Sequence, residues 1–275
     1  MQNYKQLIHD ILLTGETSMD RTGTGTISKF GSRLEWDLAK GFPATTTKTL
    51  AWKSVVSELL WFLSGSTNTN DLREILHGSR TEGKTIWDAN FEHQAVNLGY
   101  LNGDLGPVYG AQFHHNNQLN NFIEGIKNNP KSRRHIISLW NTDDLKDMAL
   151  PPCHGLVIQA FVSNDNKLSI QWYQRSVDSF LGLPFNIASY ALFTHILASI
   201  LGLGVGKLIY VGGDTHIYTN HVSQCEELLS RKPLPLPSLE MPSFSTIDEV
   251  IITPISSFKL TDYKSHGSIK ADMAV

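Results

Sequence analysis

A short polar turn, Asn164-Asp165-Asn166, separates two stretches rich in strand-forming residues, His154 to Val162 and Lys167 to Tyr173. Turn residues between two such stretches are typical of a β-hairpin. Two other stretches, Trp52 to Leu63 and Ile187 to Leu201, are apolar over most of their length and long enough for buried helices. The sequence therefore predicts a fold of mixed helices and strands.

The remaining elements have weaker patterns. Apolar residues at helical spacing from Tyr4 to Leu12, followed by Gly15, predict a first helix. Further strands are predicted at Ile27 to Leu38, His135 to Trp140, Leu208 to Val211 and Val250 to Leu260, and a further helix at Ser223 to Leu229.

Size and charge narrow the class of protein. The 275 residues contain no linker, because the longest proline-rich stretch, Lys232 to Pro237, alternates with leucine and is typical of an extended connector on a core. We therefore expect a single domain over residues 1–275. Lys and Arg number 23 against 26 Asp and Glu, for a formal charge of −3, which disfavours nucleic acid or an anionic membrane as the main partner. The expected ligand is a small molecule.

Cysteine usage and the N-terminus bear on the compartment. Cys153 and Cys225 match neither a disulfide framework nor a zinc-ribbon spacing, so free thiols are expected. Met1 to Lys5 lack the apolar region of a signal peptide, and no uninterrupted apolar run reaches roughly eighteen residues. We expect a cytoplasmic protein that does not enter a membrane.

Cys153 follows two prolines, which restrict the backbone and lack an N–H donor. Most lone cysteines are small buried apolar residues without chemistry, but this one stands at a rigid point where a strand begins. Arg175 follows about twenty residues later, and an arginine beside a cysteine favours the nucleophilic thiolate. The Arg175-Ser176 pair suits an anion, and the amide of Asn186 suits a polar ring. The pattern indicates covalent catalysis on a nucleotide-like substrate.

Three further segments carry residues that suit a binding site. Glu58 lies inside an otherwise apolar helix, and a carboxylate there needs a partner or a function. The stretch Gly83 to Gly110 is rich in glycine and aromatic residues, as are loops that line clefts. The loop Asp20 to Thr26 carries Arg21 but is not a Walker motif, so phosphate binding and a simple turn are both open.

Three other classes of protein are alternatives from the residues alone. A cysteine–histidine hydrolase needs a base for Cys153. The adjacent His154 would point to the other face of a strand, although the distant His216 could serve. A metal site is disfavoured, and no metal is expected, because pairs such as His216 and His221 lack a zinc-site spacing. A pure binding protein would leave Cys153 without a role.

Eight short segments, in order along the chain, carry a recognisable pattern. They are Arg21-Thr22-Gly23-Thr24-Gly25-Thr26, Glu58 to Leu63, Gly103 to Gly110, Ser132-Arg133-Arg134, Pro152-Cys153-His154, Gln174-Arg175-Ser176, Pro184 to Tyr190 and Gly213 to Tyr218. Together with the chain end, Ile269 to Val275, they closely resemble thymidylate synthase. The resemblance implies a single α+β domain with a large twisted mixed β-sheet and flanking helices, which dimerises through the sheet.

The implied reaction is methyl transfer to dUMP. The co-substrate 5,10-methylenetetrahydrofolate would donate both the carbon and the hydride, and the products would be dTMP and dihydrofolate. Addition of the Cys153 thiolate to C6 of uracil would make C5 nucleophilic. Asn186 would read the O4 and N3 edge, because an amide both donates and accepts. Glu58 would organise the waters that relay protons, a role that suits a buried carboxyl with a raised pKa.

The site residues implied by the resemblance form three overlapping groups. The catalytic group comprises Cys153, Glu58, Arg175, Asn186, Tyr218 and Asp178. The dUMP group comprises Arg21, Arg133, Arg134, Gln174, Arg175, Ser176, Asp178, Asn186, His216 and Tyr218, with Arg133 and Arg134 supplied by the other subunit of a homodimer. The folate group comprises Ile86, Trp87, Asp178, Leu181, Gly182, Phe185, Tyr218, Ala274 and Val275. Val275 would close over the site and exclude water.

Two segments depart from the family pattern. Ala111 to Asn117 stands where family members usually have a Lys-Gln-Trp-Arg type of sequence, and Ser138-Leu139-Trp140 has a larger residue before its tryptophan. Because both lie near regions expected to shape the cleft and the subunit contacts, a dUMP hydroxymethylase, in which water replaces the hydride, is the alternative activity. We expect methylation, because Trp87, Tyr218 and Val275 suit a site that excludes water.

Overall fold

A mixed β-sheet dominates the computed structural model, which describes residues 1–19 and 23–272. Its strands are β1 (Glu16–Ser18), β2 (Thr26–Asp37), β3 (Ile136–Ile137), β4 (His154–Val162), β5 (Lys167–Asp178) and β6 (Gly204–Tyr218). They are arranged in the order β1-β2-β6-β5-β4-β3, and only β5 and β6 run parallel. Two short strands, β7 (Ser238–Glu240) and β8 (Lys259–Thr261), form a separate antiparallel pair.

Helices flank the sheet. They are α1 (Gln2–Thr14), α2 (Trp52–Leu63), α3 (Thr69–His77), α4 (Asp88–Asn90), α5 (Tyr109–His114), α6 (Gln118–Asn128), α7 (Gly182–Leu201), α8 (Val222–Ser230) and α9 (Ile247–Ile251). Helix α2 has the predicted bounds, whereas α7 begins at Gly182 rather than at Ile187. Just before it, Asp178 Oδ1 accepts the N–H groups of Phe180 and Leu181, at 2.8 and 3.0 Å, and holds the turn that leads from β5 into the helix. Pro184 falls in the first turn, where helix N–H groups have no intrahelical partner.

Both central strands are longer than their predicted segments. Strand β5 continues to Asp178, and β6 covers Gly204–Tyr218, because each is paired with a neighbour on both sides. The strand predicted from His135 to Trp140 is reduced to the two residues of β3, at the edge of the sheet.

The strand predicted from Val250 to Leu260 is wrong. Thr246 accepts a hydrogen bond from Glu249 N at 3.3 Å and thereby caps helix α9, which ends at Ile251. A turn with Pro254 follows, and only the last three-residue strand, β8, is extended. A short apolar run fits a helix or a strand equally well, and here the capping threonine and the proline decided the outcome.

The two faces of the main sheet differ. On one face Trp172 of β5 stacks on Tyr190 of α7, with 4.7 Å between ring centroids, and the core lies between sheet and helices. Helix α7 is long and apolar enough to cross a membrane, but most of its side chains are buried in this core. The opposite face is uncovered and carries Val157 and Phe161, which are 41% and 65% exposed. The predicted α+β fold with a large mixed sheet is confirmed.

Candidate active site

Cys153 lies one residue before β4, at the open end of the predicted hairpin. A β-bulge follows at the start of that strand, where Gly155 has a φ of +68°. Cys153 N donates to Tyr109 Oη at 2.7 Å, and Arg175 N donates to Cys153 O at 2.9 Å. Two neighbouring segments therefore hold the backbone of the cysteine, and its thiol remains half-buried rather than enclosed.

The Arg175 guanidinium lies beside the Cys153 thiol. Nη2 is 3.7 Å from Sγ, while Nε donates to Pro152 O at 2.9 Å and Nη2 to Pro151 O at 3.2 Å. The guanidinium carbon is also 5.5 Å from the centre of the Trp140 ring. These contacts hold a permanent positive charge against the sulfur, which favours the thiolate.

A chain of hydrogen bonds orients Asn186. Trp172 Nε1 donates to Gln174 Oε1 at 3.4 Å, and Gln174 Nε2 donates to Asn186 Oδ1 at 2.9 Å. Because an indole N–H can only donate, it sets which end of Gln174 is the oxygen, and Gln174 then sets the orientation of Asn186. Asn186 is 9% exposed, so a ligand meets a preset amide.

Glu58 and Trp87 form a second polar pair near the core. Trp87 Nε1 donates to Glu58 Oε1 at 2.8 Å. Burial raises the pKa of Glu58 to about 7, and the hydrogen bond from Trp87 opposes that rise. A carboxyl group with a pKa near neutrality can both take up and release protons.

Aromatic rings connect this carboxyl to the cysteine. Phe62 stacks on Tyr109 with 4.7 Å between ring centroids, and Tyr109 stacks on His154 at 4.6 Å. His154 Nδ1 is 2.9 Å from Tyr190 Oη, and burial lowers the pKa of His154 to about 3. This histidine is neutral at pH 7 and too weak a base to activate a thiol, which disfavours a hydrolase that uses Cys153 with His154.

Asp178, His216 and Tyr218 lie at the neighbouring ends of β5 and β6. Asp178 and His216 are register partners, and the His216 ring meets Tyr218 edge-on at 5.1 Å. His216 Nδ1 is 2.9 Å from Asp214 Oδ1, which orients the imidazole. These strand ends adjoin the start of α7, so carboxylate, imidazole and phenol share one end of the sheet.

Comparison with known proteins decides the family. The family model described as thymidylate synthase matches residues 2–275. The chain belongs to the thymidylate synthase family. It is 55% identical over 280 residues to a probable thymidylate synthase of Escherichia phage T5 and 51% identical over 288 residues to thymidylate synthase of Enterobacteria phage T4, each over 100% of both chains.

Other relatives agree with this assignment. The chain is 44% identical to a bifunctional dihydrofolate reductase-thymidylate synthase of Zea mays, over 99% of this chain and 54% of that protein. A crystal structure of thymidylate synthase from T4 phage superposes with a TM-score of 0.95 at 52% identity, over 100% of both chains. The predicted activity, thymidylate synthesis by a methyltransferase, is thereby confirmed, and the hydroxymethylase alternative gains no support.

Most site residues carried over from the thymidylate synthase family converge on this region. Ser176 lies between Arg175 and Asp178 on β5, opposite Asp214 of β6. Leu181, Gly182 and Phe185, all partly buried, lie at the start of α7. Arg21, Ala274 and Val275 lie outside the described residues.

Three predicted residues stand apart from the cysteine. Arg133 and Arg134 are exposed on the loop between α6 and β3, and Ile86 is 58% exposed beside the buried Trp87. A single chain therefore shows no contact of either arginine with the thiol.

The first segment that departs from the thymidylate synthase pattern packs away from the cysteine. Phe113 is buried and meets Phe193 of α7 edge-on at 5.9 Å. His114 Nε2 donates to Leu63 O at 2.8 Å, at the end of α2. The second segment does reach the site, because Trp140 lies against Arg175.

Sequence reasoning missed the roles of several residues in the site. Tyr109 binds the Cys153 backbone, Tyr190 pairs with His154, and His221 is fully buried behind Asp178. For Tyr109 the sequence offered one signal, because this residue lies in the glycine-rich stretch that was expected to line a cleft. Tyr190 and His221 have no local signal, because their partners are distant in sequence. Across residues 1–19 and 23–272, no group of three or more His, Cys, Asp or Glu side chains could hold a metal.

Proposed function

We propose that the chain methylates dUMP with 5,10-methylenetetrahydrofolate, through covalent attack by Cys153. The observation that carries this proposal is the Arg175 guanidinium, which lies 3.7 Å from the Cys153 sulfur. The thiolate adds to C6 of uracil, and its electron pair passes through the ring to make C5 the nucleophile. Asn186 binds the O4 and N3 edge, and its preset amide selects uracil.

The cysteine leaves the product by the reverse of its addition. Loss of the C5 proton and cleavage of the bond between the transferred carbon and the folate nitrogen leave an exocyclic methylene at C5 and free tetrahydrofolate. Hydride transfer from tetrahydrofolate to that methylene forms the methyl group, expels the thiolate from C6 and restores the ring double bond. Folate supplies the carbon and the hydride, so dTMP and dihydrofolate are the products. Glu58, a buried carboxyl with a pKa of about 7, would hand protons to waters at the base.

Folate is assigned to the part of the site that contains Trp87, Asp178 and the start of α7. Apolar surface comes from Trp87, Leu181 and Phe185. Asp178 Oδ1 accepts two N–H groups of the turn before α7, and within the described chain its Oδ2 makes no hydrogen bond. A carboxylate oxygen suits the guanidine-like edge of a pterin. The residues present therefore fit a folate.

The phosphate of dUMP is assigned to arginines. Arg175, Arg21 and Ser176 of one subunit would bind it together with Arg133 and Arg134 of the other, since guanidinium groups suit a phosphate dianion. His216 and Tyr218 would hold the ribose hydroxyl. Asp214 orients the imidazole for this role.

A homodimer formed through the uncovered sheet face would bring the two exposed arginines to a second site. This face carries the exposed apolar residues Val157 and Phe161 and the partly buried Ile209 and Val211. Apolar side chains on an uncovered sheet face favour association. Such an interface is isologous, because each copy would present the same face to the other.

Subunit mixing tests the shared site. Arg134→Ala and Cys153→Ala are each expected to be inactive alone. Mixed and allowed to exchange in equal amounts, they should form hybrids in about half of the dimers, each with one intact site, and recover about a quarter of the wild-type activity. No recovery after proven exchange contradicts a site shared between subunits.

The reaction is tested by product analysis. Purified protein is incubated with dUMP and 5,10-methylenetetrahydrofolate, and both products are identified by mass spectrometry. We expect dTMP with dihydrofolate from the wild type and neither product from Cys153→Ala. Hydroxymethyl-dUMP with tetrahydrofolate would instead show that water captures the intermediate.

A cytoplasmic location and a single catalytic domain over residues 1–275 complete the proposal. Both cysteines are free thiols, as expected in a reducing compartment. Cell fractionation tests the location, and a single cooperative unfolding transition tests the domain.

A further inference from the structure

The C-terminal segment runs along the threonine-rich stretch before α2. Tyr263 Oη donates to Thr45 O at 2.6 Å, and His266 N donates to Thr46 O at 3.0 Å. Thr49 N donates to Gly267 O at 3.1 Å, and Arg231 Nη1 donates to the same oxygen at 2.9 Å. The segment is thus tied by several hydrogen bonds as far as Gly267.

Beyond Gly267 the attachment changes. Between residues 268–272 and the rest of the described chain there is one hydrogen bond, from His221 Nε2 to Asp272 O at 2.7 Å. Ile269 and Ala271 pack against the core, but their contacts are apolar and not directional. Because a carbonyl oxygen can only accept, Nε2 of His221 carries the proton.

The other side of His221 faces the candidate active site. Its Nδ1 lies 3.9 Å from Asp178 Oδ2 and has no hydrogen-bond partner among the described residues. The imidazole is fully buried, and its centroid is 5.6 Å from the Phe180 ring and 5.8 Å from the Tyr218 ring. One buried ring therefore contacts the C-terminal segment, the turn before α7 and the end of β6.

We propose that His221 is a positioning residue that fastens the C-terminal segment at Asp272 to the floor of the site beneath Asp178 and Tyr218. This inference rests on the proposed function, which assigns Asp178 to folate and Tyr218 to the ribose of dUMP. Fixing Asp272 holds residues 268–272 against the imidazole that lies beside Asp178, the residue assigned to the pterin. His221 meets Tyr218 only by packing, which a leucine can retain, whereas the hydrogen bond to Asp272 needs the imidazole. Losing that hydrogen bond should therefore weaken folate use and spare dUMP binding.

Two variants separate the hydrogen bond from the packing. His221→Leu fills similar space without a donor, whereas His221→Gln keeps an N–H that can reach a carbonyl. The matched control is His266→Leu, because exposed His266 donates from Nε2 to Lys232 O at 2.7 Å and ties the same segment outside the site. All three are compared with the full-length wild type.

The expected result is a change confined to folate. His221→Leu should raise KM for 5,10-methylenetetrahydrofolate about tenfold, the usual scale for losing one hydrogen bond. The dissociation constant of dUMP, measured by calorimetry, should change less than twofold. His221→Gln should recover most of the loss, and His266→Leu should leave both constants unchanged.

Proteolysis gives a readout that does not depend on the reaction. Lys270 is exposed, so trypsin can remove residues 271–275, and mass spectrometry follows that loss. Cleavage in the absence of ligands should be several-fold faster in His221→Leu than in His221→Gln. This measurement tests the tether even if the wild type makes no dTMP, an outcome that would refute only the proposed function.

Deletion of residues 272–275 provides a second test. If His221 acts through Asp272, the His221→Leu change should no longer alter the KM for 5,10-methylenetetrahydrofolate in the shortened chain. Equal weakening of dUMP and folate in the full-length His221→Leu variant, or unchanged cleavage after Lys270, overturns the proposal. Should His221→Leu fail to fold, His221→Asn, whose shorter amide stops short of the carbonyl, replaces it in the comparison with His221→Gln.

Discussion

Replacing Trp87 with phenylalanine should remove one hydrogen bond from Glu58 while retaining an aromatic ring. Trp87 Nε1 donates to Glu58 Oε1 at 2.8 Å, and Trp87 is otherwise packed against Trp61, Phe62 and Tyr109. Burial already raises the pKa of Glu58 to about 7, and this bond limits the rise. In the variant, the hydrogen bond that lowers the pKa of Glu58 is lost, whereas the burial that raises this pKa remains.

The size of the effect follows from the charge on the acceptor. A hydrogen bond to a charged group contributes about 1.5 to 3 kcal/mol, and 1.36 kcal/mol corresponds to one unit of pKa. The donor stabilises the carboxylate, so its loss favours the protonated form. The pKa of Glu58 should therefore rise to about 8 or 9, and the ionised fraction at pH 7 should fall from about half to about a tenth or less.

Two measurements report this change. The pH dependence of kcat for dTMP formation should shift to higher pH, and the carboxyl carbon of labelled glutamate should titrate at higher pH by ¹³C NMR. The matched control is Trp61→Phe. Trp61 is fully buried in the same cluster, and in the described structure its Nε1 has no hydrogen-bond partner.

The Trp61→Phe control distinguishes the effect of losing the hydrogen bond to Glu58 from the effect of losing aromatic surface. Both variants should lose stability, but only Trp87→Phe should move the titration of Glu58. A titration that stays in place in Trp87→Phe, or moves equally in Trp61→Phe, would refute the reasoning.

Three further predictions concern stability. Glu58→Gln should raise stability by up to about 3 kcal/mol at pH 8 and not at pH 4. The folded protein holds the proton of Glu58 more tightly than the unfolded chain, so wild-type stability falls as pH rises from 4.5 to about 7. Urea unfolding at both pH values checks this, and equal changes at both contradict it. Gly155→Ala places a Cβ 2.3 Å from Tyr190 Oη, whereas Gly78→Ala, also at positive φ, meets nothing within 4 Å. In thermal unfolding the first should cost about 1 to 3 kcal/mol more than the second, and equal losses would argue against a clash. Asp178→Ala removes the acceptor of two N–H groups in the turn before α7 and should cost about 1 kcal/mol in chemical unfolding. Asp178→Asn should restore most of it, and an alanine variant as stable as the wild type would show that these two hydrogen bonds do not stabilise the fold.

The sequence predicted best where the pattern is local. Helix α2 and strand β4 have the predicted bounds, because an unbroken apolar run and a strand closed by a polar turn are recognisable without knowledge of their neighbours. Prediction failed at Val250 to Leu260, where a capped helix and a proline turn replace a strand. The length of β6 was also underestimated, because pairing with two neighbours extends a strand through glycines that weaken its pattern.

The sequence by itself determined the family and the mixed fold and predicted Cys153 as the nucleophile, because these depend on residue types and their order along the chain. Only the tertiary structure decided which groups meet. Glu58 contacts Trp87, 29 residues away, the Cys153 backbone contacts Tyr109, 44 residues away, and His221 contacts Asp272, 51 residues away. The pKa of Glu58 likewise depends on the burial that packing creates. Such contacts arise when distant segments are packed around one core, and no local periodicity records them.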